Sequence, residues 1–192
     1  RYAFYCAQSY RDANMIEQAI EWYQKRIDID QGWSEEKYCS YEQLGLLLEK
    51  KMQYSLAIDI WQQGVVFEPL RAECWYHLAR RHSWNQHAIL AYCFASQAIK
   101  VVLPKDNRLF LNTDIYGYWC WYEYTLNAAK LGKFEEAYQG LKSLIVHAPL
   151  EVVEKVAPYF EAIHPYVLID QFANVANLGV YFKKNQRIDL LE

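Results

Sequence analysis

Glycine and proline are scarce, with 7 and 5 in 192 residues. So few turn-formers argue against a fold of many short elements and leave long ones. Basic runs are missing too. Nothing exceeds the pairs Lys50-Lys51, Arg80-Arg81 and Lys183-Lys184, the net charge is -3, and the pI is near 6.0. Binding to nucleic acid or to a membrane surface therefore has no electrostatic support. No stretch approaches the roughly 18 to 20 uncharged apolar residues of a membrane span, and no signal peptide opens the chain. A soluble, cytoplasmic protein is the expectation. The five cysteines, Cys6, Cys39, Cys74, Cys93 and Cys120, form no C-x-x-C pair and read as buried free thiols of a reducing compartment.

Catalytic signatures are absent as well. There is no G-x-S-x-G, glycine-rich phosphate loop or Cys-His nucleophile arrangement. His77, His82 and His87 are spaced by five, not by the four of a helical zinc site, and read as packing or surface residues. Asp28-Ile29-Asp30 has the form of an acidic pair that holds a divalent cation. It falls at a helix end before Gln31-Gly32, however, and not at a strand end where both carboxylates converge, so solvated turn acids are expected. Neither a cofactor nor a metal is called for, and the chain itself is not expected to be catalytic.

What is present is apolar and aromatic: 53% hydrophobic and 17% Phe, Trp and Tyr, a composition that fits long helices with aromatic packing. The most regular stretch is Tyr41 to Pro69, YEQLGLLLEKKMQYSLAIDIWQQGVVFEP. Tyr41, Leu44, Gly45 and Leu48 stack on one face of a helix, and Ala57, Trp61 and Gly64 do so on a second. Small residues at Gly45, Ala57 and Gly64 let two backbones approach, and Pro69 stops the second helix. This order resembles the tetratricopeptide repeat, W-x2-L-G-x2-Y, then A-x3-F, then P. The resemblance implies an all-α fold, a right-handed solenoid of antiparallel helix pairs, each too small to bury its apolar face alone.

The unit recurs. The first, about 1–32, has Ala3, Cys6, Ala7 and Tyr10, then Ala19 and Tyr23, with Asn14 in the turn and Arg26 where a small residue is expected. Gly32 is read as a helix terminator and Ser34 as the next N-cap. The second unit covers about 34–69. The third, about 72–104, has Trp75, Leu78, Ala79 and His82, then Ala91, Ala95 and Ala98, ending at Leu103-Pro104. The fourth, about 115–149, has Trp121, Tyr124, Thr125 and Ala128, then Ala137, Leu141 and Leu144, with Thr125 replacing the usual small residue. The anchor alanines Ala19, Ala57, Ala91 and Ala137 stand 38, 34 and 46 residues apart. Against a standard 34, the first excess fits the connection IDQGWS and the second an insert loop at about 104–114. Residues 150–185 read as an atypical terminal pair that caps the array: a short helix disturbed by Pro158, then a longer one from Val167 to Phe182.

Two irregular segments narrow the resemblance. RYAFYCAQSYRDANMIEQAIEWYQKRIDIDQGW is similar to the segment after the catalytic domain of certain glycosyltransferases that carry tetratricopeptide repeats, R-Y-x-F-Y-x-A-Q-S-Y-R-D-A-G, then E-A-I-E-W-Y-x-K-R, then G-W. The insert LPKDNRLFLNTDIYGYWCWYEY resembles their P-K-D-x-L-F-x-x-x-D-x-Y element. Asn14 stands where that group has glycine. The resemblance implies a nucleotide-sugar transferase domain before Arg1, and an opening on Arg1 within helical pattern fits a piece of a longer polypeptide. The array would then be a non-catalytic scaffold that positions an acceptor, a partner or the catalytic domain. The alternative is a free-standing adaptor that binds a peptide segment of a partner protein.

By repeat position, first-helix side chains would line a concave groove: Phe4, Gln8, Arg11 and Asp12, then Glu42, Leu46 and Glu49, then Glu73, Tyr76 and Arg80, then Trp119, Tyr122 and Leu126. Aromatics beside Arg and Glu suit an extended peptide or a sugar stacked on rings. The alternative is that they pack against neighbouring units or the missing domain. Arrays that clamp an acidic chaperone tail use Lys and Asn where Phe4 and Gln8 stand, which argues against that function.

Overall fold

The computed structural model describes residues 1–105, 110–166 and 176–186, and all regular structure there is helical. Ten α-helices follow in order: α1 (Tyr2–Asp12), α2 (Ile16–Asp28), α3 (Ser34–Lys50), α4 (Tyr54–Phe67), α5 (Ala72–Trp84), α6 (Ala88–Ala98), α7 (Cys120–Lys130), α8 (Phe134–His147), α9 (Leu150–Ile163) and α10 (Ala176–Lys184). A π-helical turn, Ile115–Trp119, leads into α7. The all-α array of helix pairs is the fold expected from the sequence. Among the described residues no helix is long and apolar enough to cross a membrane. The described residues of Arg1–Leu78 and Val101–Asn112 form one compact unit, and those of Ala79–Lys100 and Thr113–Glu192 a second.

Four pairs close through one kind of turn. In the first, the N–H of Asn14 donates to the Arg11 carbonyl (2.9 Å) and that of Met15 to the Tyr10 carbonyl (2.8 Å), with Asn14 at φ 57°. One left-handed residue and these two bonds make a Schellman termination, which satisfies carbonyls that a helix end leaves open. The longer-range bond recurs from Gln53 to Leu48 (2.9 Å), His87 to His82 (2.9 Å) and Lys133 to Ala128 (3.0 Å). The left-handed residues are Met52, Gln86 and Gly132, at φ 59°, 62° and 71°. Five positions after each left-handed residue stands an anchor alanine, Ala19, Ala57, Ala91 or Ala137, each at 0% exposure. Its N–H bonds the carbonyl of the residue that closes the turn, at 2.9 to 3.0 Å. A buried residue with only a Cβ means that its neighbours pack against the backbone itself.

In the first unit, Phe4 packs on Tyr23 (ring centroids 6.3 Å) and on Phe110 of the insert (5.5 Å). The glycines of α3 and α4 act as expected. A Cβ on Gly45 would overlap the Trp61 indole, and one on Gly64 would stand 2.7 Å from Cys74 Sγ and 3.0 Å from Tyr41 Cβ. Three local expectations change. The excess between Ala19 and Ala57 mostly lengthens a helix and not the connection: α3 has 17 residues, against 13 in α5. Ser34 is the first residue of α3 and makes no capping bond, since Trp33 holds the N-cap. Arg26 does not loosen the last turn of α2. It is buried, and it donates to the carbonyls of Ile29 (3.2 Å) and Trp33 (2.7 Å), tying the connection to the helix. Gly32, at φ 101°, lies inside that connection and not at the helix end; a Cβ there would meet Arg26 Nη2 at 3.3 Å.

In the second unit the small residue has changed sides. Thr125 occupies the usual small position of α7, and Gly140 on α8 makes the room, since a Cβ there would stand 2.6 Å from Thr125 Oγ1. Pro158 does not shorten α9, which runs its full 14 residues. Pro158 faces solvent, while Val153, Val156, Ala157 and Phe160 form a buried stripe that holds the helix across the missing N–H. α10 packs on it through Phe160 and Phe182 (5.4 Å). Of the expected helix from Val167 to Phe182, residues 167–175 lie outside the described ones. α6 ends at Ala98, ahead of Pro104, and Cys93, expected to be buried, is exposed. The buried Glu123 accepts from Asn127 Nδ2 (3.3 Å). Burial pushes its carboxyl up to about 7, against bonds from Ser83 and Asn127 and the Arg80 charge, which pull it down.

Two measurements check these features. Left-handed geometry costs a residue with a Cβ about 1 to 2 kcal/mol, more than the roughly 0.5 to 1 kcal/mol of chain freedom that glycine adds to the unfolded state. Met52 is 73% exposed and loses little packing when replaced. Met52→Gly should therefore raise the unfolding free energy by about 0.5 kcal/mol, and Met52→Val should lower it by about 1 kcal/mol, in urea denaturation; equal midpoints would deny the left-handed turn. For Glu123, the folded state holds a proton that the unfolded state releases near pH 4.5, so stability falls as pH rises from there to about 7. At about 1.4 kcal/mol per pH unit the full cost is roughly 3 kcal/mol at most. Glu123→Gln should stabilise the protein more at pH 8 than at pH 5, and parallel stability profiles for the two proteins would contradict this.

Candidate functional site

The expected groove residues fall in two chemically different settings. In the first unit most are already engaged within the chain. Phe4 is core at 1% exposure. Gln8, Leu46 and Glu49 are half-buried, and Asp12 is exposed. Arg11, also half-buried, donates to Asp12 Oδ1 (2.8 and 3.0 Å) and to Gln43 Oε1 (3.0 Å), so its charge is met from α1 and its fork reaches α3.

Glu42, Glu73 and Tyr76 are buried. Glu42 Oε1 lies 3.4 Å from His77 Nε2, whose ring stacks on Trp61 at 5.1 Å. The Trp61 indole N–H in turn donates to the Glu42 carbonyl (3.3 Å). Glu73 belongs to an ionic cluster around Arg71, which donates to Glu73 (2.8 and 3.0 Å) and to Glu35 (2.6 Å). The Arg71 guanidinium lies 4.5 Å over the Tyr38 ring. The Tyr38 hydroxyl accepts from the Cys74 N–H (3.1 Å), and burial, with the Cys74 and Glu73 charges, pushes it well above its usual range. Glu35 sits on the added first turn of α3. Carboxylates at this depth need a partner, and the sequence supplies Arg71 36 residues later. The cluster holds α3 and α5 together and leaves little for a ligand.

The second unit is different. Arg80 is half-buried, 4.6 Å over the Trp84 ring, and Leu126 is buried at 8% exposure. Trp119 and Tyr122 are half-buried and edge-to-face at 5.6 Å. Tyr118 adds a third ring, 5.1 Å from Trp119. Their inner edges pack on the unit's core, and burial, reinforced by the Glu123 charge, raises the Tyr122 hydroxyl. A π-turn adds a residue to the helical repeat and so re-aims the side chains that follow it. This is why Tyr118 escapes a count at 3.6 residues per turn; the aromatic run around Gly117 was the available signal. Rings packed on the core and still half-exposed suit an apolar or planar ligand group.

The acidic pair is split between the last residue of α2, Asp28, and the connection after it, Asp30. Asp28 accepts from Gln24 Nε2 (2.9 Å), and Asp30 is exposed 3.6 Å from Lys37. Among the described residues no three His, Cys, Asp or Glu side chains gather as metal ligands.

No family model matches the chain, and no curated protein matches it. Solved structures do. One of MamA is 16% identical with TM-score 0.66, covering 100% of this chain and 94% of that one. A second MamA structure is 18% identical with TM-score 0.64, covering 95% and 94%. YrrB, described as a TPR protein with an unusual peptide-binding site, is 17% identical with TM-score 0.58, covering 94% of this chain and 74% of that one. At such identities the likeness is one of fold, and that fold is the tetratricopeptide-repeat array.

Proposed function

We propose that this chain is a non-catalytic helical-repeat scaffold whose binding face is the ring platform of Tyr118, Trp119 and Tyr122, and that it takes an extended peptide segment of a partner protein. The half-buried platform carries the reading. Its rings are positioned by the π-turn and the core beneath them, so little side-chain entropy remains to be lost when a segment lies across them. The polar inner face of the first unit, committed to internal pairs, would serve as support. Peptide binding by YrrB, a protein of the same fold, makes the reading a reasonable one for this architecture.

A second reading concerns the parent. The opening R-Y-A-F-Y-C-A-Q-S-Y-R-D-A and the P-K-D insert favour a scaffold within a glycosyltransferase, where the platform would face an acceptor or the catalytic domain.

Two experiments test these readings. Peptides selected from a random phage-displayed library on the purified chain should lose about tenfold in affinity, near 1.4 kcal/mol, for Trp119→Ala and for Tyr122→Ala. Gln8→Ala should change nothing, and selected peptides indifferent to both ring deletions would sink the platform. For the parent, the coding sequence upstream of Arg1 should encode a nucleotide-sugar fold with an acidic pair at a strand end; a start codon directly before Arg1 would refute it.

A further inference from the structure

The turn between α5 and α6 brings two imidazoles together, tilted by 36° and nearest through one nitrogen of each. His82 Nδ1 and His87 Nδ1 are 3.5 Å apart, with ring centroids at 5.7 Å. A spacing of five residues is wrong for two ligands on one continuous helix. These two are not on one helix: His82 precedes the left-handed Gln86 and His87 closes the Schellman turn. That termination characteristically brings the side chains at these two positions together.

The distance discriminates between two uses of the pair. A hydrogen bond between ring nitrogens is best near 2.9 to 3.0 Å, so 3.5 Å is long for one. Two imidazole nitrogens bound at about 2.0 to 2.1 Å to one tetrahedral ion stand about 3.4 Å apart. The observed separation matches the second. One ring of the pair is held in place before any ion arrives: His82 is stacked on Phe94 at 5.3 Å with ring planes within 10°, while the backbone of His87 is fixed by its N–H to the His82 carbonyl (2.9 Å). His82 is 8% exposed and His87 is exposed, so an ion between them is reachable from solvent on one side.

We propose that His82 and His87 form a two-imidazole site for a borderline divalent transition-metal ion, zinc being the test case, with water filling the remaining positions. Imidazole suits zinc, nickel and copper and not magnesium or calcium. Only two protein ligands and the neighbouring Arg81 charge make this a weak, exchangeable site. Arg81 is partly occupied elsewhere, 5.1 Å over the Trp84 ring and bonded to Asn85 Oδ1 (2.9 Å). An open coordination shell on an exposed turn would let a partner side chain complete the site.

The test is calorimetric titration of the whole untagged chain with zinc sulfate. One ion per chain is expected, with affinity reduced about tenfold or more by His87→Ala and by His82→Asn, and unchanged by the exposed His147→Ala. Nitrogen-15 imidazole spectra should show zinc perturbing Nδ1 of His82 and His87. His87→Ala removes an exposed ring and leaves the fold intact by circular dichroism, so its result stands even if His82→Asn unfolds. No saturable binding, or binding unchanged by His87→Ala, overturns the site.

Discussion

The structure depends on the coupling between a left-handed turn residue and an alanine five positions later. The turn residue ends one helix and reverses the chain, and the alanine lets the returning helix lie close against the first. Neither works alone. A turn without a small residue behind it would hold the helices apart, and an alanine without the reversal would have no backbone to face. Asn14 with Ala19, Met52 with Ala57, Gln86 with Ala91 and Gly132 with Ala137 repeat this coupling. Because the turn is made by backbone bonds, its geometry survives four different residues at the left-handed position.

Around this constant element the two units differ in chemistry. The first buries charge. Its extra helical turn brings Glu35 and Glu36 inside, where Arg71 bonds Glu35 and Arg26 stands 3.6 Å from Glu36. Such clusters contribute little net stability once desolvation is counted, but removing one partner is severe, which makes them register pins. Among its described residues the second unit buries one carboxyl, Glu123, bonded by neutral donors with the Arg80 charge nearby, and leaves several of its rings half-exposed. Binding is therefore better supported by the rings than by the charges.

The fold was legible because alanine spacing and apolar periodicity report backbone proximity directly. Asn14 was readable as a turn residue, but Met52 and Gln86 were not, since nothing in a methionine or glutamine announces positive φ. The groove was less legible. Repeat position speaks to the face of a helix and says nothing of depth, so Phe4, Glu42 and Glu73 were named beside Gln8 and Arg11 although the former are buried and the latter are not. Of the partners that take Glu73 and Glu42 inward, Arg71 stands two residues before Glu73 and was within local reach, whereas His77 lies 35 residues from Glu42, beyond any local window. Pro158 misled for the opposite reason: a lost backbone bond is a local penalty, and a buried stripe of four residues outweighed it.

The turn-and-alanine element also determines where these proteins can vary in length. The separations of 38, 34 and 46 residues put every added residue at the end of a pair away from its turn, as one more helical turn in α3 or as the insert ahead of α7. An insertion there shifts whole pairs and leaves each one's internal register untouched. One placed between Gln86 and Ala91 would rotate the second helix by about 100° per residue and present a larger side chain to its partner. Lineages descended from such an array should accumulate insertions at one kind of junction and almost none at the other, so the map of gaps among relatives would trace the turns as clearly as coordinates do.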